Sequence, residues 1–494
     1  KPQFIPVDEY FNKQFYLKNT GQGTRWGTST AGADIKMETA WEFTKGSSSI
    51  TIAILDDGLD LYHQDFDASK IVQGYDYADG DADVYPVGTN AHGTCCTGII
   101  AAKHNTLGVT GIAPGCKIRM LKIFKNTGEG TSEGNIASAI DNAWINGADV
   151  ISNSWSYRSP DPNLMPSIKE AILRAYNNGR NGKGCVVVFA AGNTANRFIN
   201  NNGEIWFPAT TQEVITVGAS NRNDVVANYS PNCMVPNNIY LDICAPSHHA
   251  YSSQISGEGF EVWSTDISGY AGYNPGTSDP NLGDHAGKFT SEFGGTSAAC
   301  PQVSAAAALI LSINPNLTSQ QVANILITSA DKVGGYNYNS MTSYPGLSVE
   351  LGYGRLNVTS ALQQLNPPLS YQFINEIGTT NDYGALVLDE NKNDLITSGD
   401  FRSLFSGSNH IVRSNELPFI PNWDGSSITK KHFFWNLETS HYLLNYPFNA
   451  DVYNTRVLKA SFSSTAGNIS LKNNLEYSNI THPTGVIELK DTWN

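Results

Sequence analysis

Charge is scarce in this chain. Asp, Glu, Lys and Arg supply only 15% of its 494 residues. Within that small share basic residues are the minority, 31 against 45 acidic, for a formal net charge of −14. A phosphate-binding surface needs a basic face, so nucleic acid is an unfavourable partner. No run of 18 apolar residues occurs, and no membrane span is expected. No signal peptide opens the chain, and Lys1 reads as the start of a processed or trimmed product. No C-x-x-C occurs among the seven cysteines, which removes the zinc-ribbon and dithiol redox signatures. An odd count leaves at least one thiol outside any internal pair. Cys233 and Cys244 flank a short stretch, and both a bridge and two thiols are open there.

What is plentiful is polar and uncharged: Asn, Ser, Thr, Gly and Tyr. That composition predicts a secreted or cell-surface protein. The length exceeds one ordinary core and predicts two domains, 1–366 and 367–494. In the first, continuous apolar runs read as strands covered on both faces: 50–57, 117–124, 148–155, 184–192 and 214–220. Ile136, Ala139, Ile140, Ala143 and Trp144 recur at helical spacing between two of them. Strand, helix, strand in series predicts a parallel α/β sheet with helices on both faces, whose sites gather at the carboxyl ends of its strands. Beyond a linker at 366–370 the texture changes to short β-rich runs between turn residues, which predicts an all-β sandwich accessory domain.

Three stretches in the first domain carry chemistry. "AILDDGLD" (53–60) runs from a strand into paired acids. "NAHGTCCTGIIAA" (90–102) sets His92 before a helix of small residues. "FGGTSAACPQVSAAAALIL" (293–311) puts Ser297 at a helix N-terminus after two glycines. Each alone is an ordinary turn or cap. Together they supply what a serine nucleophile needs: an imidazole to take its proton and a carboxylate to orient that imidazole. A lipase or esterase would instead need G-x-S-x-G and the order Ser, Asp, His, neither of which occurs.

The motifs "ILDDG", "HGTCCTG" and "GTSAACP" resemble those of the subtilase family, in the same chain order, over about residues 1–365. The resemblance implies Asp56 as orienting acid, His92 as general base and acid, and Ser297 as nucleophile. Asn193, closing "VVFAAGN" (187–193), would stabilise the oxyanion together with the Ser297 N–H. "NSWSY" (153–157) is similar to the family's peptide-binding edge, implying Ser154, Trp155 and Ser156 as substrate contacts. Core packing is the other reading of Trp155. "AAKHNTLGVTGIAP" (101–114) resembles a calcium loop. That implies Ca2+ held by the Asn105 side chain and the Leu107 and Val109 carbonyls, with Asp65 and Asp8 as carboxylates. A metal-free turn is the other reading there.

"ILDDG" and Cys96 lean to the kexin branch, which selects basic residues with acids. This chain departs from that pattern: Tyr157, Arg158, Ser159 and Pro160 follow "NSWS", and Glu204 is the one acid after Asn193 in "TANRFINNNGEIWFPAT". Residues 266–290, rich in Gly, Asp and Asn, read as a surface loop, a rim on the active site or a second calcium loop. The implied partners are protein or peptide substrates and a propeptide or proteinaceous inhibitor, and a monomer is expected. The competing class is an inert surface or adhesion protein on the same fold.

Overall fold

A computed structural model describes residues 4–161, 163–233, 241–255, 259–339 and 344–365, together with the backbone pairing of six strands between 370 and 493. The chain divides into two units, Lys1–Leu365 and Asn366–Asn494.

In the first unit the elements run α1 (Met37–Phe43), β1 (Thr51–Asp56), β2 (Ile71–Asp76), α2 (His92–Ala101), β3 (Lys117–Lys122), α3 (Glu133–Ile145), β4 (Val150–Asn153), α4 (Pro166–Gly182), β5 (Val186–Ala190), β6 (Ile215–Ser220) and β7 (Ile243–Pro246). A hairpin follows, β8 (Val262–Thr265) and β9 (Phe289–Phe293), then α5 (Thr296–Ile313), α6 (Ser319–Ser329) and α7 (Val358–Leu365). Seven strands form one parallel sheet in the order β2-β3-β1-β4-β5-β6-β7. The fold is subtilisin-like.

Strand alternation splits the apolar residues into two cores. Ile52 and Ile54 face one layer, with α1, α2, α5, α6 and α7. Ala53 and Leu55 face the other, with α3 and α4. Every residue of β1 is buried, which is why its sequence is apolar without alternation. β2 is the edge strand and mostly half-exposed, so its "IVQGYD" carries no such signal. Helical geometry in α4 ends at Gly179, and Arg180 turns left-handed so that its guanidinium reaches Asp149 and the carbonyls of Gly184, Leu317 and Pro315.

α5 is the one helix among the described residues that is long and apolar enough to cross a membrane, yet 83% of it is buried inside this unit. Its alanines let it lie against β4, β5, β6 and α2 at once. Cys244 donates its thiol to the Gly354 carbonyl at 3.3 Å, so the bridge to Cys233 left open by the sequence is not formed. The buried cysteines act as small core residues.

In the second unit, β10 (Ser370–Asn375), β11 (Gly384–Asp389) and β12 (Phe433–Trp435) form one antiparallel sheet. β13 (Arg456–Phe462), β14 (Asn468–Ser470) and β15 (Ile487–Trp493) form another. The rest of the expected sandwich lies outside the described residues.

Candidate active site

The carboxyl edge of the sheet collects the polar residues the core cannot take. β1 ends in Asp56, which is 2% exposed. α2 begins at His92 directly over it, and Nδ1 donates to both carboxylate oxygens, at 2.9 and 3.0 Å. That bond fixes the tautomer and leaves the Nε2 lone pair available as a base. Gly93 makes the approach possible, since a Cβ there would meet the Gly58 carbonyl oxygen at 2.3 Å. Asp57 caps the same helix start, accepting from the N–H groups of His92 (3.1 Å) and Gly93 (2.7 Å). Burial, with the Asp56 charge adding to it, pushes the Asp57 carboxyl up to about 7. The sequence reading passed over Asp57; its signal was the second acid of the pair.

Burial is the largest influence on the His92 imidazole and would lower it, but the Asp56 carboxylate together with Cys96 and the hydrogen bonds to both holds the group well above its usual value. Cys96, one helical turn on, has its sulfur 3.8 Å from His92 Nδ1 and 3.8 Å from the Ser297 carbonyl. Burial keeps that thiol at about 12, so it is neutral at ordinary pH.

Ser297 is the second residue of α5. Its carbonyl would ordinarily accept from the N–H four residues on, but that residue is Pro301, which has none. The orphan is taken instead by the Ser154 hydroxyl at 3.0 Å and by the Cys96 thiol. The Ser297 hydroxyl in turn donates to the Ser154 carbonyl at 3.2 Å. A missing helical bond therefore ties the nucleophile segment to the end of β4 and to α2.

Asn193 follows β5 and is exposed. Its Oδ1 accepts from the Thr296 N–H (2.9 Å) and hydroxyl (3.1 Å), which leaves Nδ2 on the side of Gly295. Gly295 has φ +74°, and a Cβ on it would stand 3.0 Å from Asn193 Nδ2. Only glycine suits the position. The Gly295 N–H is held by Nδ1 of His248, a fully buried side chain stacked on Tyr229, which no sequence signal marked.

Asp56, His92, Ser297, Asn193 and Ser154 thus meet at one edge. Trp155 does not join them through its ring. It is 8% exposed and packs on Phe189 (5.2 Å between centroids) and Tyr157 (6.1 Å), so the core reading is correct for its indole. Ser156 is half-buried at the next position. Glu204 is exposed, and its backbone N–H and carbonyl pin the Thr194 hydroxyl at 2.8 and 2.7 Å, closing the loop after Asn193.

A second cluster brings the predicted calcium residues together. Asp65 accepts from the Asn105 amide (2.8 Å) and the Val109 N–H (3.0 Å). Asp8 Oδ1 accepts from the Asn105 N–H (2.9 Å), and the Leu107 N–H donates to Asn105 Oδ1. Asp8 Oδ2 is buried and has no partner. Burial raises both carboxyls, Asp65 to about 7 with Asp8 adding repulsion. Two buried acids with an orphaned oxygen are a set that a hard cation satisfies.

Residues 47–354 match the model of the Subtilase family. A calcium-dependent protease of Nostoc is 37% identical over 373 residues, covering 72% of this chain and 52% of that protein. Kexin of Saccharomyces cerevisiae is 29% identical over 368 residues, covering 72% and 39%. Among solved structures, a serine protease of Aeromonas sobria in complex with its chaperone superposes with a TM-score of 0.61 at 23% identity. That superposition covers 76% of this chain and 71% of the other. The chain spans about half the length of the Nostoc protease and less than half of kexin.

Proposed function

The chain belongs to the subtilase family, and on that premise we propose that it is a secreted serine endopeptidase using Asp56, His92 and Ser297. The observation that carries the reading is the two-oxygen bond from His92 Nδ1 to a nearly buried carboxylate, beside a serine at a helix start.

His92 Nε2 takes the Ser297 proton as Oγ attacks the peptide carbonyl, and Asp56 stabilises the imidazolium that forms. Charge develops on the carbonyl oxygen, where Asn193 Nδ2 and the Ser297 N–H donate. His92 returns the proton to the departing amine, leaving an acyl group on Ser297. Water, activated by the same imidazole, releases it. The backbone of 154–156 pairs with the substrate's main chain, which accounts for binding many sequences.

Asp8, Asp65, Asn105, Leu107 and Val109 would hold Ca2+. The orphaned Asp8 oxygen supports this, as does a relative whose name describes calcium dependence. Calcium there supplies charge neutralisation that braces the loop after α2; no step of the reaction passes through it. A propeptide or proteinaceous inhibitor would occupy the same groove as substrate.

The test is peptide cleavage by the wild-type protein and by Ser297→Ala. Turnover is expected to fall about 10⁶-fold with the melting transition retained. Equal activity in the two would reject Ser297. Absence of cleavage in both would favour an inert surface protein.

A further inference from the structure

The segment 266–290 is not used by the chemistry above, yet hydrogen bonds tie it to the elements that carry that chemistry. It links β8 to β9, and β9 leads straight into Ser297. The hairpin is fastened to α2 behind His92, because Ser264 and Thr265 donate their hydroxyls to the carbonyls of Cys95 (2.6 Å) and Thr94 (2.8 Å). The loop is fastened to the end of β1 as well, through the Ser268 N–H to Asp60 (2.9 Å). Its interior is closed by acids used as hydrogen-bond acceptors. Asp266 takes the N–H groups of Ile267 (2.8 Å) and Asn274 (2.6 Å), and Asp284 takes those of Lys288 (2.6 Å) and Phe289 (2.8 Å).

What the loop presents is an aromatic ring. Phe293, 2% exposed, meets the His92 imidazole edge-on at 5.3 Å, and Tyr273 lies on Phe293 at 6.0 Å. Tyr273 keeps 39% of its surface exposed. Burial is the largest influence on its phenol and raises it, so the ring carries no charge.

The side matters. Sheet order places Asp56 on β1, Ser154 after β4 and Asn193 after β5, so the oxyanion donor and acyl-binding edge lie to one side of the imidazole. The loop is fastened instead to α2 and to the segment after β1, and its return strand meets the imidazole through Phe293. His92 hands its proton to the departing amine, so the fragment after the scissile bond leaves past Tyr273. We propose that Tyr273, backed by Phe293, forms a binding platform for an aromatic or large apolar side chain at P1′, the residue just after the cleaved bond. The proposal rests on the endopeptidase reading. Stacking on a neutral ring favours such residues, while the nearby Asp56 and Asp57 disfavour an acidic one.

The experiment is acyl transfer. A peptide ester acylates Ser297, and equal concentrations of phenylalaninamide, glycinamide or aspartic acid amide compete with water. The amine nitrogen bonds to the acyl carbon as the Ser297 oxygen leaves, and the amine proton passes through His92 to that oxygen. Capture by phenylalaninamide is expected to exceed capture by glycinamide about tenfold, with aspartic acid amide lowest. Tyr273→Ala should bring the phenylalanine-to-glycine ratio close to one, and Tyr273→Phe should keep it. Equal capture of the two amides by the wild-type protein overturns the platform and leaves the endopeptidase reading standing. A wild-type protein that never hydrolyses the ester overturns both. The wild-type ratio decides even where Tyr273→Ala fails to fold.

Discussion

Asp56 does two things to His92: it fixes which nitrogen carries the proton and it raises the imidazole above its ordinary value. A protonated imidazole cannot accept the serine's proton, so the acid limb of kcat/KM should follow the His92 titration, with activity rising as the proton leaves. Asp56→Asn removes the charge that holds the proton on. The limb is therefore expected to move to lower pH, with turnover down about 10⁴-fold because the amide also disturbs the tautomer. A pH–rate series on both proteins checks it; an unmoved limb would assign the titration to another group. The residues that make this pair were legible as motifs, because a catalytic His, Asp and Ser sit among small residues that close packing demands. Asp57 and His248 were not. Their value lies in the N–H groups they accept from, and those arrive from α2 and from the segment before α5 only once the chain is folded.

The loop after α2 joins the site indirectly, since α2 begins at His92 and the loop follows its end. Asp65 is held up to about 7 in the folded chain against about 3.9 in an unfolded one. Between roughly pH 4 and 7 the folded state binds the extra proton, so calcium-free stability falls as pH rises through that window. Calcium takes the proton's place, and its stabilisation should grow as pH rises. Melting with calcium and with EGTA is expected to differ more at pH 8 than at pH 5, and equal melts at both would remove the site. Among elements, the buried strands, α3 and α5 announced themselves through apolar runs and helical spacing. β2, β7 and the return strand β9 did not. One is a half-exposed edge, and the others are four or five residues whose pairing is set by distant partners.

Two cores back the sheet, and their described residues all fall within Lys1–Leu365; Val358, Ala361 and Leu362 of α7 belong to one of them. A chain ending after Leu365 is therefore expected to fold and to cleave peptides at a rate within a few-fold of the full chain. Peptide kinetics and a melting curve on that truncation check it, and loss of folding would show that the second unit is part of the stability of the first. The net charge of −14 favours approach of basic over acidic substrates, an effect that salt should weaken.

The most direct measurement is covalent labelling of the intact protein by a fluorophosphonate, located by mass spectrometry. A nucleophile raised by His92 at the start of α5 should yield one adduct, on Ser297, that disappears in Ser297→Ala and slows sharply in Asp56→Asn. A folded wild-type protein that takes no label, or takes it on another residue, would contradict the catalytic reading.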